Sequence, residues 1–303
     1  MKISIVGAGS VGSLLTYILN KANIEPVLVK RSLNTLTPTR ILAPDGSEAK
    51  LRYKSTPYSD DAWLHSDVIF IATKAYDAGS VIERISTSRD ISLAILVQNG
   101  LGVFEEGVKR LGSERVAQLV LNHGVSLADQ DTCVWVGGGR SYLGMVKGYR
   151  NPYLGMIADL LRDLDVVVVE DIEPYRWLKL VVNAVINPIT ALLEVRNRVI
   201  ADNEHLRTLA TMVCKEVGRI AGVRGIEFPR DPCHEVFEIA IKTGDNISSM
   251  LSDLIRCRKT EIDFINGYIA KIAEDLGIEA PANRILYMMV KAKESLGRCG
   301  ERQ

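Results

Sequence analysis

Nothing in this sequence restricts the fold more than its opening. The run Ile3-Ser-Ile-Val6 leads directly into Gly7-Ala8-Gly9-Ser10-Val11-Gly12, and an apolar stretch continues to Leu19. A buried strand, a glycine turn and a helix in immediate succession begin a βαβ unit, and G-x-G-x-x-G in that setting is a dinucleotide fingerprint. Gly7 permits the tight turn, Gly9 lets the backbone approach a pyrophosphate, and Gly12 allows the helix to pack closely on the strand. The helix N-terminus offers free N–H groups and a partial positive charge to phosphates. Outside that setting, a chance glycine turn would explain the pattern equally well.

The same alternation continues through the first half. Apolar runs at Ile3–Val6, Pro26–Val29, Val68–Ala72, Ala94–Gln98, Val116–Leu121 and Val166–Val169 are separated by helix-length segments. Such runs read as parallel strands covered on both faces. Ala49–Ser55 and Thr132–Val136 read as further strands, in an antiparallel hairpin extension closed by Gly137-Gly-Gly139. Beyond about Asp171 the period becomes helical, over Tyr175–Glu194, Glu204–Ala221, Ser249–Leu276 and Asn283–Leu296. The expected class is therefore α/β: a Rossmann-type doubly wound sheet over residues 1–170, then an all-helical domain over residues 171–303.

A chain of 303 residues is long enough for two such cores. Lys plus Arg equals Asp plus Glu at 37 each, so no global field favours nucleic acid or an anionic membrane. The N-terminus lacks the pattern of a signal peptide, and no uninterrupted run of 18 apolar residues predicts a spanning helix. Cys133, Cys214, Cys233, Cys257 and Cys299 are odd in number and lack a Cys-x-x-Cys pair. That spacing argues against a disulfide scaffold or a zinc site and suits a reducing cytoplasm. His65, His123, His205 and His234 are dispersed, so no metal is expected.

The end of the second strand reports on the cofactor. An NAD site would carry Asp or Glu about 20 residues beyond the glycines, to accept from the ribose 2′-hydroxyl. Here the chain reads Val27-Leu-Val-Lys30-Arg31-Ser32, two cations and a hydroxyl where a 2′-phosphate would sit. NADP(H) is the expected cofactor; an exposed basic turn is the structural alternative. Lys74 and Asn99 follow two further strands at their carboxyl ends, where ligands lie in open α/β sheets.

In the helical half, Lys179, Asn183, Asn187 and Thr190 occupy roughly 80° of arc at about 100° per residue. Trp177, Leu178, Leu180, Val181, Val185, Ile186 and Ile189 fill most of the remaining surface of that helix. A helix apolar nearly all round is buried, so its polar stripe faces a thin strip of solvent or a polar cleft. Asn is a poor choice for a solvated helix face, and an amine one turn from two amides suits a polarised carbonyl. Glu261 falls on the apolar face of the stretch ending at Leu276, a costly place for a carboxylate without a partner. One of Ser248 and Ser249 reads as an N-cap, leaving the other, and Asn246, for a ligand. Cys257 reads as a core cysteine.

Taken together, the glycine loop, Lys74-Ala-Tyr76, Gln98-Asn-Gly100, Trp177–Leu192 with its Lys-x-x-x-Asn-x-x-x-Asn-Pro pattern, Asn246-Ile-Ser-Ser-Met250 and Lys259–Gly267 resemble ketopantoate reductase (2-dehydropantoate 2-reductase). The resemblance covers nearly the whole chain. It implies NADPH-dependent reduction of ketopantoate to pantoate, on the route to pantothenate and coenzyme A. By position it implies Lys179 as general acid and Glu261 as the active-site carboxylate. Asn99, Asn183, Asn187, Asn246, Ser248 and Ser249 would contact substrate, with Asn197 matching a further family asparagine in an altered turn. Gly7 to Gly12, Lys30, Arg31, Lys74, Asn99 and Glu261 would contact cofactor. Val125 would take a further cofactor contact, in a segment that departs from the family's Thr-Thr-His-type pattern and reads Leu121-Asn-His-Gly-Val125 here. On this reading the two domains close over the ligand, and oligomeric state is left open, a homodimer included. Two alternatives stand beside it: a reductase of the same architecture for another 2-keto acid, and a non-catalytic NADP(H)-binding regulator.

Overall fold

A computed structural model of the chain describes residues 1–32 and 34–296. Residue contacts divide it into two units, Met1–Gln98 with Val103–Ile172, and Asn99–Gly102 with Glu173–Gln303. The first unit holds strands β1 (Ile3–Val6), β2 (Val27–Lys30), β3 (Arg40–Leu42), β4 (Glu48–Lys50), β5 (Lys54–Pro57) and β6 (Val68–Ile71). It continues with β7 (Leu93–Leu96), β8 (Val116–Val120), β9 (His123–Leu127), β10 (Thr132–Gly138), β11 (Ser141–Gly144) and β12 (Val166–Val169). Its helices are α1 (Ser10–Lys21), α2 (Ala75–Ser86), α3 (Val103–Leu111) and α4 (Tyr153–Leu160).

Eight strands form one sheet in the order β12-β11-β8-β7-β6-β1-β2-β5. Every neighbouring pair is parallel except β8 with β11. The chain steps from β1 to β2 on one side and reaches β6 on the other, so the strand order reverses at β1. Strands β1, β6 and β7 are buried along their whole length, which is why they read as near-continuous apolar runs. A second sheet has the order β4-β3-β10-β9. The stretch expected as one strand over Ala49–Ser55 is in fact two. Its start pairs with β3 in the small sheet and its end joins the edge of the large one, with buried Leu51 between them.

The second unit is helical: α5 (Glu173–Leu193), α6 (Val199–Asp202), α7 (Glu204–Val223), α8 (Pro232–Lys242), α9 (Ser249–Ile255), α10 (Asn266–Asp275) and α11 (Pro281–Leu296). Helix α5 lies at its centre, packed against α7, α8, α9 and α11. Among the described residues α5 is long and apolar enough to cross a membrane, but its apolar window is 72% buried inside the protein. Pro188 sits in its interior, where proline costs about 3 kcal/mol relative to alanine and leaves the carbonyl of residue 184 without its helical donor. Asn266 Nδ2 supplies one, 3.0 Å from the Ala184 oxygen. Helix α8 goes beyond the sequence expectation; Asp231 caps it and Pro232 occupies its first turn.

Two further expectations are corrected. The stretch Ser249–Leu276 is not one helix. Helix α9 stops after Ile255, with Cys257 in the left-handed region at φ 54°. Arg258 N donates to Asp253 O at 2.8 Å and Cys257 N to Leu254 O at 3.0 Å, the paired bonds of a Schellman stop. Glycine usually holds that left-handed position; cysteine holds it here, so the pattern contains no stop signal. Cysteine pairing is the second correction. Cys214 of α7 and Cys233 of α8 form a disulfide with a Cα–Cα distance of 5.7 Å. Cys257 is exposed and also disulfide-bonded, not a core thiol. An odd count without Cys-x-x-Cys does not exclude bridges between residues that only folding brings together. Cys299 lies outside the described residues.

Candidate active site

Three adjacent parallel strands end side by side in the first unit. β1 delivers the glycine loop, β2 delivers Lys30 and Arg31, and β6 delivers Thr73 and Lys74. Such a switch point is where open α/β sheets bind ligands. Gly12 has no room for any other residue: a Cβ on it would lie 2.0 Å from the Gly7 carbonyl oxygen. Gly9, by contrast, caps α1 with ordinary backbone angles and faces open space, with nothing within 4 Å of a Cβ built on it. Thr73 Oγ1 is buried with no hydrogen-bond partner. An open approach to a helix N-terminus beside an orphaned hydroxyl fits a dinucleotide pyrophosphate.

Gly9→Ala is accordingly expected to separate binding from folding. Removing a glycine at compatible angles stabilises by about 0.4–1 kcal/mol through the unfolded chain. The added methyl would occupy the phosphate approach and weaken dinucleotide affinity about tenfold or more. Thermal unfolding and a cofactor titration of the same variant check both halves; unchanged affinity would remove the loop from the binding site.

The remaining residues of this group are placed as follows. Lys30 is half-buried, its Nζ 3.3 Å from the Thr35 carbonyl oxygen. The Arg31 side chain is 85% exposed and lies 3.6 Å from Asp77 of α2. Lys74 is the N-cap residue of α2. Val125 lies in β9 of the small sheet opposite Trp135, and this sheet packs on α1, where the Cys133 thiol donates to the Ser10 carbonyl at 3.7 Å.

The helical unit gathers a second group. Lys179 and Asn183 are half-buried on α5 and Asn187 is buried, one turn apart each and therefore on one face. Asn183 Nδ2 is buried with no hydrogen-bond partner. Glu261 is 8% exposed and accepts from Asn99 Nδ2 at 3.3 Å. It stands at the edge of a single 3₁₀ turn, Ile262–Phe264, rather than on a long helix. The turn Asn99-Gly100 brings Asn99 there. Gly100 has φ 84°, a Cβ on it would strike the Phe264 oxygen at 2.2 Å, and Leu101 N donates to that oxygen at 2.9 Å. Protein crowds the Lys179 ammonium heavily enough that lost hydration lowers its pKa from 10.5 to about 8, against the upward pull of Glu261.

Not all the polar residues singled out in the sequence join this group. Thr190 is fully buried, donates to the Ile186 carbonyl at 2.6 Å and is hydrogen-bonded with Ser248 Oγ at 2.8 Å, so it faces packing and not a cleft. Ser248 is the N-cap of α9, accepting from Leu251 N. Ser248 is buried, whereas Ser249 and Asn246 are exposed. Asn197 is buried, donating to Thr243 Oγ1 at 2.9 Å, and its Oδ1 has no hydrogen-bond partner. Asn266 was not singled out from the sequence. The proline inside an otherwise helical run was the available signal for Asn266, because it demands a donor from elsewhere.

Comparison with known proteins places the chain. The family model described as ketopantoate reductase PanE/ApbA matches residues 3–148, and that for its C-terminal part matches residues 171–294. The 2-dehydropantoate 2-reductase of Pyrobaculum aerophilum is 38% identical over 98% of this chain and 100% of its own length. That of Archaeoglobus fulgidus is 35% identical over 97% and 98%. Among solved structures, a PanE/ApbA family ketopantoate reductase from Ralstonia eutropha superposes with TM-score 0.86 at 22% identity, covering 98% of this chain and 99% of its own. D-mandelate dehydrogenase with NADH and anilino(oxo)acetate gives 0.87 at 22%, with the same coverage of each chain. Glycine loop, lysine–asparagine helix and buried carboxylate are thus carried by a chain that belongs to the ketopantoate reductase family of oxidoreductases.

Proposed function

We propose that this protein reduces ketopantoate to pantoate with NADPH, on the route to pantothenate and coenzyme A. The observation that carries the reading is buried Glu261, held by Asn99 and exerting an upward pull on a Lys179 whose pKa burial lowers, together with the orphaned amide of Asn183 on the Lys179 face of α5. When bound, NADPH supplies the hydride to the ketone carbon. The glycine loop at the N-terminus of α1 would hold its pyrophosphate, and Lys30 with Arg31 its 2′-phosphate. As negative charge grows on the ketone oxygen, the Lys179 ammonium stabilises it and donates the proton. Asn183 and Asn187 orient the oxygen and the substrate carboxylate from the same face. Glu261 accepts from the substrate hydroxyl, with Asn99 fixing the carboxylate. Asn246 and Ser249 complete the contacts to substrate.

The test is steady-state NADPH oxidation with ketopantoate against a panel of other 2-keto acids, repeated with NADH. Preference for ketopantoate and for NADPH is expected. Preference for another keto acid would move the protein to the alternative reductase reading. Absent turnover despite tight cofactor binding would make it a regulator. Arg31→Ala is expected to raise KM for NADPH about tenfold with little change for NADH, because contacts to a phosphate are charge-assisted. Equal kcat/KM for both cofactors in the unmodified protein would overturn the cofactor assignment.

A further inference from the structure

Lys179 and Glu261 sit on different elements, and something must hold them in register. The chain between Glu261 and Asn266 is short and tied at both ends. At one end Asn99 donates to Glu261 at 3.3 Å and Leu101 N to the Phe264 carbonyl at 2.9 Å. At the other, Asn266 opens α10 and donates to the Ala184 carbonyl of α5 at 3.0 Å. That carbonyl is available because Pro188 has no N–H to offer it. Ala184 lies between Lys179 and Asn187 in the sequence of α5.

Asn266 is itself aimed by a buried relay. It is 0% exposed, and it also donates to Asn283 Oδ1 at 3.0 Å. Asn283 Nδ2 donates to Glu216 Oε2 at 2.7 Å. The Glu216 carboxylate of α7 accepts as well from the backbone N–H groups of Ala282 at 2.9 Å and Asn283 at 3.0 Å. The Asn283 side chain thus has one orientation, its oxygen towards Asn266, and the Asn266 amide has its donors fixed in turn. A proline in mid-helix and a fully buried asparagine are each unfavourable alone; together they make one cross-link from the Glu261 segment to α5.

We infer that Asn266 is a positioning residue, which uses the Ala184 carbonyl released by Pro188 to set Glu261 against Lys179. The inference rests on the proposed roles of those two residues. Pro188→Ala tests it most directly. It restores an N–H at residue 188, so α5 satisfies its own carbonyl and Asn266 no longer has that acceptor to itself. Melting temperature should stay at or above that of the unmodified protein, since alanine is the better helix former. Turnover should nevertheless fall, kcat by about tenfold or more, because small misplacements in a catalytic group are costly. KM for NADPH should not move. Asn266→Ala should lower kcat similarly, and the double variant should be no worse than either single one.

A second readout needs no substrate: the rate at which trinitrobenzenesulfonate modifies Lys179 at pH 7, followed by peptide mass spectrometry. Losing the upward pull of Glu261 would enlarge the free-amine fraction and speed labelling about threefold or more. Unchanged kcat in Pro188→Ala would overturn the inference, as would effects of the two substitutions that simply multiply. If Asn266→Ala fails to fold, Pro188→Ala alone decides. If the unmodified protein fails to reduce ketopantoate, the proposed function falls, and the labelling rate in Pro188→Ala still decides the role of Asn266.

Discussion

Replacing Lys179 by alanine is expected to lower kcat by about 10²–10⁴-fold while NADPH affinity stays near its original value. A positioned general acid contributes a factor of that size. The residue lies on α5, whereas the glycine loop lies on the sheet, so the two functions separate by residue. The pH profile gives an independent check. As a general acid Lys179 would have to carry its proton, and its pKa is lowered to about 8 by burial, with Glu261 opposing the shift. The kcat/KM of the unmodified protein should therefore decline as pH rises through about 8, and the residual rate of Lys179→Ala should lack that limb. Stability has the opposite dependence. The unfolded chain holds this proton more tightly, up to 10.5, so the buried ammonium works against folding at neutral pH, and stability from this group rises between about 8 and 10.5. Retaining a group that opposes folding is the pattern expected of a catalytic residue. A loss of less than about tenfold in kcat at neutral pH would take the acid role away from Lys179.

Substrate discrimination should move just as far in Glu261→Gln. A site that hydrogen-bonds a substrate hydroxyl rejects an analogue without it by about 10⁴–10⁵-fold, whereas an apolar pocket discriminates weakly. Glu261 is buried and held by Asn99, so its carboxylate cannot swing into water to satisfy itself. The informative quantity is the ratio of kcat/KM for ketopantoate to that for 2-keto-3-methylbutanoate, which lacks the hydroxymethyl group. Charge-assisted hydrogen bonds are roughly twice as strong as neutral ones, so glutamine should shrink the ratio by about tenfold or more while the protein stays folded. A ratio untouched by the substitution would mean that Glu261 does not read the hydroxyl.

Some of this was written locally in the chain. A strand, three glycines and a helix lie within a few residues of one another, and the reason for Gly12 is contact with Gly7 in the same loop. The stripe of Lys179, Asn183 and Asn187 repeats at one helical turn, so the geometry of a single helix places all three on one face. Parallel strands buried on both faces announce themselves as near-continuous apolar runs. These signals depend on neighbours in sequence, and the sequence by itself determined them.

Other features depended on partners distant in sequence. Cysteine in the left-handed stop after Ile255 imitates a glycine that is absent, so the helix appeared to run on through Glu261. Ser248 and Ser249 look alike as residues, and only the bond from Leu251 N shows which one caps the helix. The Cys214–Cys233 bridge joins two helices whose packing had to exist first. Asn99–Gly102 belongs with the helical unit although the segments that flank it belong to the other, because Gly100 and Leu101 fasten that turn to Phe264. Asn266 has no local reason at all; its acceptor lies 82 residues away and is free only because of a proline. Tertiary structure decided these, because a buried polar group must find its partner wherever the fold has placed one.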